Sequence, residues 1–484
     1  MVTGKTLSIF SLLVLSPGAF ASTGGGSIQL IDLTHSILGI LALLVFITAY
    51  VFVLGEELIH LRKSKPVIVA AGLIWLLTAV AYALNGDQQT AGLAARQYIL
   101  EFAELFLFLL AAMTFITTME ERLVFAALRS WLVVQRYSLR KIYWITGALA
   151  FFISPIADNL STALLMGAVV MAVGSHYHKF VTVGCINIVV AANAGGAFSP
   201  FGDITTLMVW QKGLVQFAEF LQLFPAALVT WLIPAAIMSH VVEEGPPSGE
   251  TRLLHMKKGA VGIILIFVCT IALAVLSHSF LHLPPVLGMM TGLGILKLYG
   301  FYISKHEPIA QEHGHISHHN AETLQTHKHI KGDPSGVVRR FNIFKVVERS
   351  SWDTLMFFYG VVLCVGGLAT LGYMALLSEW MYSGLGATAA NILVGFASAL
   401  VDNIPVMFGV LSMEPDMALS QWLLVTLTAG VGGSMLSVGS AAGIALMGQA
   451  QGVYTFINHL KWSWAIVLGY VAGILTHLLS HNML

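Results

Sequence analysis

Charge is what this chain has least of. Only 10% of its 484 residues are Asp, Glu, Lys or Arg, and 24 basic residues balance 24 acidic ones. With 57% hydrophobic residues and a mean hydropathy of +0.82, no water-soluble fold could hide so much apolar surface. A net charge of zero also removes the basic field by which nucleic acid is held, so no nucleic-acid partner is expected. Cysteine is nearly absent. Cys185, Cys269 and Cys364 are far apart in apolar runs, which excludes a disulfide framework and a cysteine-based metal motif. The short alternating strands of an outer-membrane barrel are missing as well. What remains is an all-α polytopic membrane protein.

The N-terminus has Lys5, a short apolar core and the small-residue pattern Ala19-Phe20-Ala21, so residues 1–21 read as a signal peptide. An uncleaved first helix is the alternative, although the apolar run is short for a crossing. Ten spans are expected near residues 31–54, 66–84, 98–118, 181–210, 218–241, 259–280, 284–301, 354–376, 418–448 and 462–480. Two further apolar segments are of awkward length, about 141–174 and 386–412. Each carries an Asp-Asn pair and a proline: "SPIADNLSTALLM" from Ser154 and "ALVDNIPVMFGVL" from Ala399. Each is long for one crossing and short for two, which fits a re-entrant hairpin with Pro155 or Pro405 at its tip.

Basic residues test the topology. With the mature N-terminus outside and both segments drawn as hairpins, the basic residues from Arg62 to Lys461 collect in inside loops, and only Arg96 and Lys212 fall outside. A full crossing at 141–174 would reverse the loops at 252–258 and 302–350. The chain therefore divides into a first repeat, 22–245, and a second, 246–484, each with five transmembrane helices, a hairpin and a broken helix. An odd number of spans inverts one repeat relative to the other. "GGAFSPFGD" from Gly195 aligns with "GGSMLSVGS" from Gly432, matching Gly202 to Gly439 and Asp203 to Ser440.

Polar backbone at membrane depth survives only where protein buries it or it lines a wet cavity, and broken helices there are ready ion sites. Around the breaks the first half supplies Ser154, Asp158, Asn159, Ser161, Thr162, Asn193, Ser199, Asp203, Thr205 and Thr206. The second supplies Ser398, Asp402, Asn403, Ser437 and Ser440. These are hard oxygen donors, suited to an alkali or alkaline-earth cation rather than zinc or copper. A desolvated carboxylate also takes up a proton more readily, so proton and metal cation compete for it. The plainer role for Asp158 and Asp402 is that of hairpin caps. Glu101 and Glu104 share a face of the third span, and Glu104 is deep enough for an accessory proton group. Asp353 opens the equivalent span of the second half. The histidine-rich stretch 302–350 reads as a polar linker, with pH sensing the sharper alternative. Residues 125–138 read as an amphipathic helix on the lipid surface.

"SPIADNLSTALLM", "NAGGAFSPFGDITTLM" and "ALVDNIP" followed by "GGSMLSVGSAAG" together resemble the signature segments of NhaD-type sodium/proton antiporters, within the ion transporter superfamily of inverted-repeat carriers. The resemblance covers about residues 30–480. It implies exchange of external H⁺ for cytoplasmic Na⁺, and often Li⁺, across a bacterial inner membrane, with no cofactor and no enzyme activity. It also implies a homodimer in which a hairpin-bearing domain moves against a scaffold. By motif position the resemblance makes Ser154, Asp158, Asn159, Asn193, Asp203, Thr205, Thr206, Ser398, Asp402, Asn403, Gly439 and Ser440 the essential residues. The matching places of Asp158 and Asp402 at the two inverted hairpin tips lead to the expectation that they meet near mid-membrane as the shared cation and proton site. Two rival readings are a sodium-coupled carboxylate carrier of the same superfamily and an intramembrane aspartyl protease. Aspartates at both tips would repel an anion, and the protease would resemble Gly-x-Gly-Asp where this chain has Pro200-Phe201-Gly202-Asp203.

Overall fold

Apolar runs form the helices, and the polar and glycine-rich interruptions within them decide where each helix stops. The computed structural model describes residues 31–59, 61–243, 245, 253–306 and 352–483. The expected signal peptide and nearly all of the histidine-rich stretch lie outside the described residues.

The first half contains α1 (Ile37–Leu54), α2 (Ser64–Leu84), α3 (Thr90–Glu121), α4 (Val124–Val134), α5 (Leu139–Ala157), α6 (Asn159–Val173), α7 (His178–Gly196), α8 (Ile204–Gln211) and α9 (Phe224–Ser239). The second contains α10 (Ala260–Leu281), α11 (Pro285–His306), α12 (Trp352–Thr370), α13 (Tyr373–Ser378, continued by a π-helical stretch Glu379–Leu385), α14 (Ala387–Leu400), α15 (Asn403–Met413), α16 (Leu419–Gly432), α17 (Ala441–Gln449) and α18 (Ser463–Ser480). Among the described residues, 9 helices are long and apolar enough to cross a bilayer. The tenth expected span, 418–448, is the broken pair α16 and α17, and neither piece alone has membrane length.

Helix contacts come in matched sets. α1 packs on α2 and α10 on α11; α2 packs on α12 and α3 on α11; α5 packs on α7 and α14 on α16; α6 packs on α17 and α15 on α8. α9 and α18 pack on each other. α2 and α12 run parallel, since Gly360 lies against Val67 and Gly367 against Ile74. Peripheral α1 leaves Leu44, Val51 and Leu54 exposed, as a lipid-facing helix does, whereas α7 is almost wholly buried. It is the central helix on which the site is built.

Both awkward segments are helix, break and helix, but the prolines do not mark the breaks. α5 runs through Pro155 to Ala157, and the chain breaks at Asp158. In the second segment the break is at Val401 and Asp402, and Pro405 is the third residue of α15. The first turn of a helix has no use for that N–H, so proline starts α15 rather than ending α14. Pro155 leaves the carbonyl of Phe151 without its helical N–H donor, and this carbonyl lies against Gly195 of α7, where a Cβ would come within 2.2 Å of the oxygen. The carbonyl of Gly395 lies in the same way against Gly432 of α16, at 2.1 Å from a Cβ placed there.

Candidate functional site

The two breaks are fastened to the neighbouring helices by equivalent bonds. Ser154 Oγ donates to the carbonyl of Ala192 at 2.6 Å, and Ser398 Oγ donates to that of Ala429 at 2.7 Å. The breaks in α7–α8 and α16–α17 are equally close-packed. A Cβ on Gly202 would meet Gly196 and Pro155, and one on Gly439 would meet the carbonyls of Ala399, Gly433 and Ser398. Asp203 caps α8 by accepting from Thr205 N at 3.1 Å, and Ser440 caps α17 by accepting from Gly443 N. Thr206 Oγ1 reaches the carbonyls of Ser199 and Asp203, and Ser199 Oγ donates to the carbonyl of Pro155. Ser154, Ser398, Thr206, Ser440 and Gly439 thus hold backbone in place.

Asp203 is the node where the halves meet. Its Oδ2 accepts from Asn159 Nδ2 at 3.1 Å and from Asn403 Nδ2 at 2.9 Å, one amide from each Asp-Asn break. Asn159 Nδ2 also donates to Asn193 Oδ1 at 3.1 Å, and Asn193 Nδ2 donates to Ser434 Oγ at 2.8 Å. The network continues to buried His459, whose Nε2 donates to the carbonyl of Ser434 at 2.9 Å while its Nδ1 accepts from Tyr454 at 2.7 Å. Asp203 is 5% exposed and Asn193 fully buried.

Asp158 and Asp402 hold equivalent places but make different bonds. Asp158 has φ 57° and ψ 158°, a region that costs a non-glycine residue about 1–3 kcal/mol and persists only where the surroundings hold it. Its carboxylate caps α6, accepting from Ser161 N at 2.7 Å and Ser161 Oγ at 2.8 Å. Three residues after Asp402 stands Pro405, which has no N–H to cap, and Asp402 makes no cap bond. Its Oδ2 instead pairs with Lys63 Nζ at 2.9 Å, while its Oδ1 is buried without a partner.

Asp158, Asn159, Asp203, Asp402, Asn403 and Lys63 all line one cavity of about 810 Å³, with Glu120 and Glu121 at the end of α3 also on its wall. The hydroxyls of Thr162, Thr205 and Ser437 are buried without partners. None of these three is among the residues lining the cavity; the oxygen donors that do line it, Asp158, Asn159, Ser161, Asp203, Asp402 and Asn403, are of the kind that suits Na⁺ or Li⁺. Glu104 is not among the cavity-lining residues; its neighbour Glu101 pairs with Lys212 at 2.6 Å. Sequence reasoning missed Lys63, counted only as a loop charge, and Ser434, although the latter stands inside the quoted "GGSMLSVGS".

Membrane-length helices interrupted where buried carboxylates and amides converge define a secondary transporter, and the chain is not an enzyme. A family model described as "Citrate transporter" matches residues 50–430. The chain is similar to Na(+)/H(+) antiporter NhaD of Alkalimonas amylolytica, 53% identical over 466 residues that cover 96% of this chain and 95% of that protein. It is 52% identical over 481 residues to Na(+)/H(+) antiporter NhaD of Vibrio cholerae, covering 99% of each. Sodium/proton antiporter 1 of Arabidopsis thaliana is 28% identical over 459 residues, 91% of this chain and 72% of that protein. The chain belongs to the NhaD family of Na⁺/H⁺ antiporters, multi-pass proteins of the bacterial inner membrane.

Proposed function

We propose that the protein exchanges cytoplasmic Na⁺, and Li⁺ with it, for external H⁺ through the cavity built on Asp203, Asp158 and Asp402. The observation that carries this reading is the Asp203 carboxylate held between Asn159 and Asn403. It ties the two Asp-Asn breaks to one titratable group, so that occupancy by a proton or a metal cation is felt by both. Asp158 and Asp402 bring two further carboxylates to the same cavity, and Asn159, Asn403 and Ser161 offer neutral oxygens there. Five carboxylates against one lysine, Asp158, Asp203 and Asp402 with Glu120 and Glu121 at the end of α3, disfavour an anionic cargo such as citrate, since like charges in a low-dielectric cavity repel strongly. With three aspartates at the breaks, more than one H⁺ per Na⁺ is expected, and transport then responds to membrane potential.

The matched helix contacts and the sidedness of the basic residues support two repeats of opposite orientation, 22–245 and 246–484, with one hairpin entering from each side. A homodimer, lipid contact along α4 and α1, and a hairpin-bearing unit moving against a scaffold complete the reading. The test is dissipation of a pH gradient in inverted vesicles, run with Na⁺, Li⁺, K⁺ and Ca²⁺ across pH. Na⁺ and Li⁺ should collapse the gradient while K⁺ and Ca²⁺ leave it. A gradient insensitive to Na⁺, or collapsed by citrate, would overturn the assignment.

A further inference from the structure

Among the described residues lining the cavity, Lys63 is the basic one, and the exchange reaction does not need it as a ligand. It lies just before α2, its Nζ 2.9 Å from Asp402 Oδ2, with both side chains mostly buried, 16% and 11% exposed. The same Nζ stands 4.4 Å over the ring of Phe357, so protein replaces much of its water shell. Two more carboxylates bond to this stretch of chain, Glu56 and Asp353. Glu56 accepts from the backbone N–H of Lys63, and Asp353 accepts from Ser64 Oγ.

We propose that Lys63 is a tethered counter-cation of Asp402, which cargo Na⁺ displaces when it binds. This rests on the antiport reading and adds a residue to it. A buried carboxylate left without a partner is strongly destabilising, so Asp402, whenever neither a proton nor Na⁺ neutralises it, needs another positive charge beside it. Asp158 meets its need differently, through the N–H and hydroxyl of Ser161. Pro405 stands where the first half has Ser161 and offers neither its N–H nor its hydroxyl, and Asp402 makes no cap bond but pairs with an ammonium. Lysine suits the role because it is a compact charge on a flexible stem, able to leave one carboxylate for another. Glu56 and Asp353 are the carboxylates to which it turns. Exchanging an ammonium for Na⁺ at Asp402 leaves the local charge unchanged, so the barrier to cation entry is kept low. It also sets the threshold Na⁺ concentration, because every arriving ion competes with a lysine that is always present.

The test is a Na⁺ titration of exchange at one fixed pH in inverted vesicles, for wild type, Lys63→Gln and Lys63→Arg, with insertion checked for each. Removing the competitor in Lys63→Gln should lower the Na⁺ half-saturation about tenfold, equivalent to about 1.4 kcal/mol. Lys63→Arg keeps the charge, holds both carboxylate oxygens at once, and should raise it by a similar factor. A lysine with only a structural role would reduce the maximal rate in both variants without shifting half-saturation in opposite directions, and that result would overturn the proposal. Where Lys63→Gln does not assemble, the Lys63→Arg arm decides, an unchanged half-saturation counting against. A wild type that exchanges no Na⁺ sinks the antiport reading instead. Protection of the purified protein by Na⁺ in thermal unfolding, compared between wild type and Lys63→Gln, then still tests Lys63: equal protection refutes displacement.

Discussion

Asp203→Asn is the substitution that the geometry makes most informative. Three N–H donors point at this carboxylate: Thr205 N at Oδ1, and Asn159 and Asn403 at Oδ2. An asparagine has one oxygen and one amide nitrogen, so in either orientation an N–H faces an N–H. Asn403 can turn its own oxygen inward to relieve one conflict. Asn159 cannot turn without giving up Asn193 Oδ1. Hydrogen bonds to a charged acceptor contribute about 1.5–3 kcal/mol each; with one of the two amide bonds recovered, the variant should lose about 2–4 kcal/mol of site stability. Its unfolding temperature in detergent should fall, and Na⁺-driven proton movement in inverted vesicles should drop to background. The double variant Asp203→Asn, Asn403→Asp moves the carboxylate to the other side of the same bond. It should recover much of the unfolding temperature but not exchange, separating assembly from chemistry. Wild-type exchange in Asp203→Asn with an unchanged melt would refute the idea that this node couples the two breaks.

Asp158→Asn and Asp402→Asn should each abolish exchange while insertion survives, whereas Asn159→Ala and Asn403→Ala should mainly weaken apparent Na⁺ affinity; normal pH profiles in both aspartate variants would place the coupling elsewhere. Gly195→Ala and Gly432→Ala each drive a Cβ into a carbonyl at 2.2 or 2.1 Å, so a loss of stability of about 1–3 kcal/mol or more is expected, read as a lowered unfolding temperature with exchange reduced in parallel. His459 lies between α17 and α18, and burial pushes its pKa down from 6.5 to about 4. The folded state therefore resists a proton that the unfolded chain accepts, and stability should fall by up to about 3 kcal/mol as pH drops from 6.5 through 4; His459→Gln should flatten that slope in unfolding measured against pH. Deleting residues 308–333 should leave Na⁺/H⁺ exchange intact in a normally inserted protein, with at most a shifted pH profile, and complete loss would make the histidine-rich stretch part of the transport machinery.

Helix order was legible because each apolar run ends in residues that cannot continue it comfortably, and the residue types at the site were legible because charge is so scarce in those runs. The register between Gly195 and Gly432 read from the sequence reappears in the geometry: both glycines receive a carbonyl from the preceding hairpin arm, and Ser154 and Ser398 make equivalent bonds one turn away. The tips were misplaced because proline was taken as a breaker. Pro405 instead occupies a first turn, where its missing N–H costs nothing, and Pro155 finds a glycine to receive the carbonyl that it frees. That Asp203 accepts from the asparagines of both breaks depends on where two amides point, and no periodicity encodes that. Lys63 was hidden for a different reason. Its partner is 339 positions away, and a lysine next to Arg62 and Lys65 looks like any charge at a membrane boundary.

The matched scaffold carries unmatched chemistry, and single residues account for the difference. Where the first half has Asn193 and Asp203, the aligned positions of the second half are Gly430 and Ser440. A Cβ on Gly430 would lie 3.8 Å from Asp203 Oδ2 and 3.9 Å from Thr205 Oγ1, so where the first half has the Asn193 amide the second half contributes room beside the acid. The same logic separates the Asp-Asn breaks. Asp-Asn-Leu-Ser lets Asp158 cap its own helix at Ser161, and Asp-Asn-Ile-Pro has neither N–H nor hydroxyl at the matching position. One aspartate is thereby held within its own hairpin, by Ser161, and the other by a lysine from just before α2. A carrier needs both kinds of bond: a fixed one so that the site keeps its shape, and a displaceable one so that an arriving ion changes what holds the hairpin.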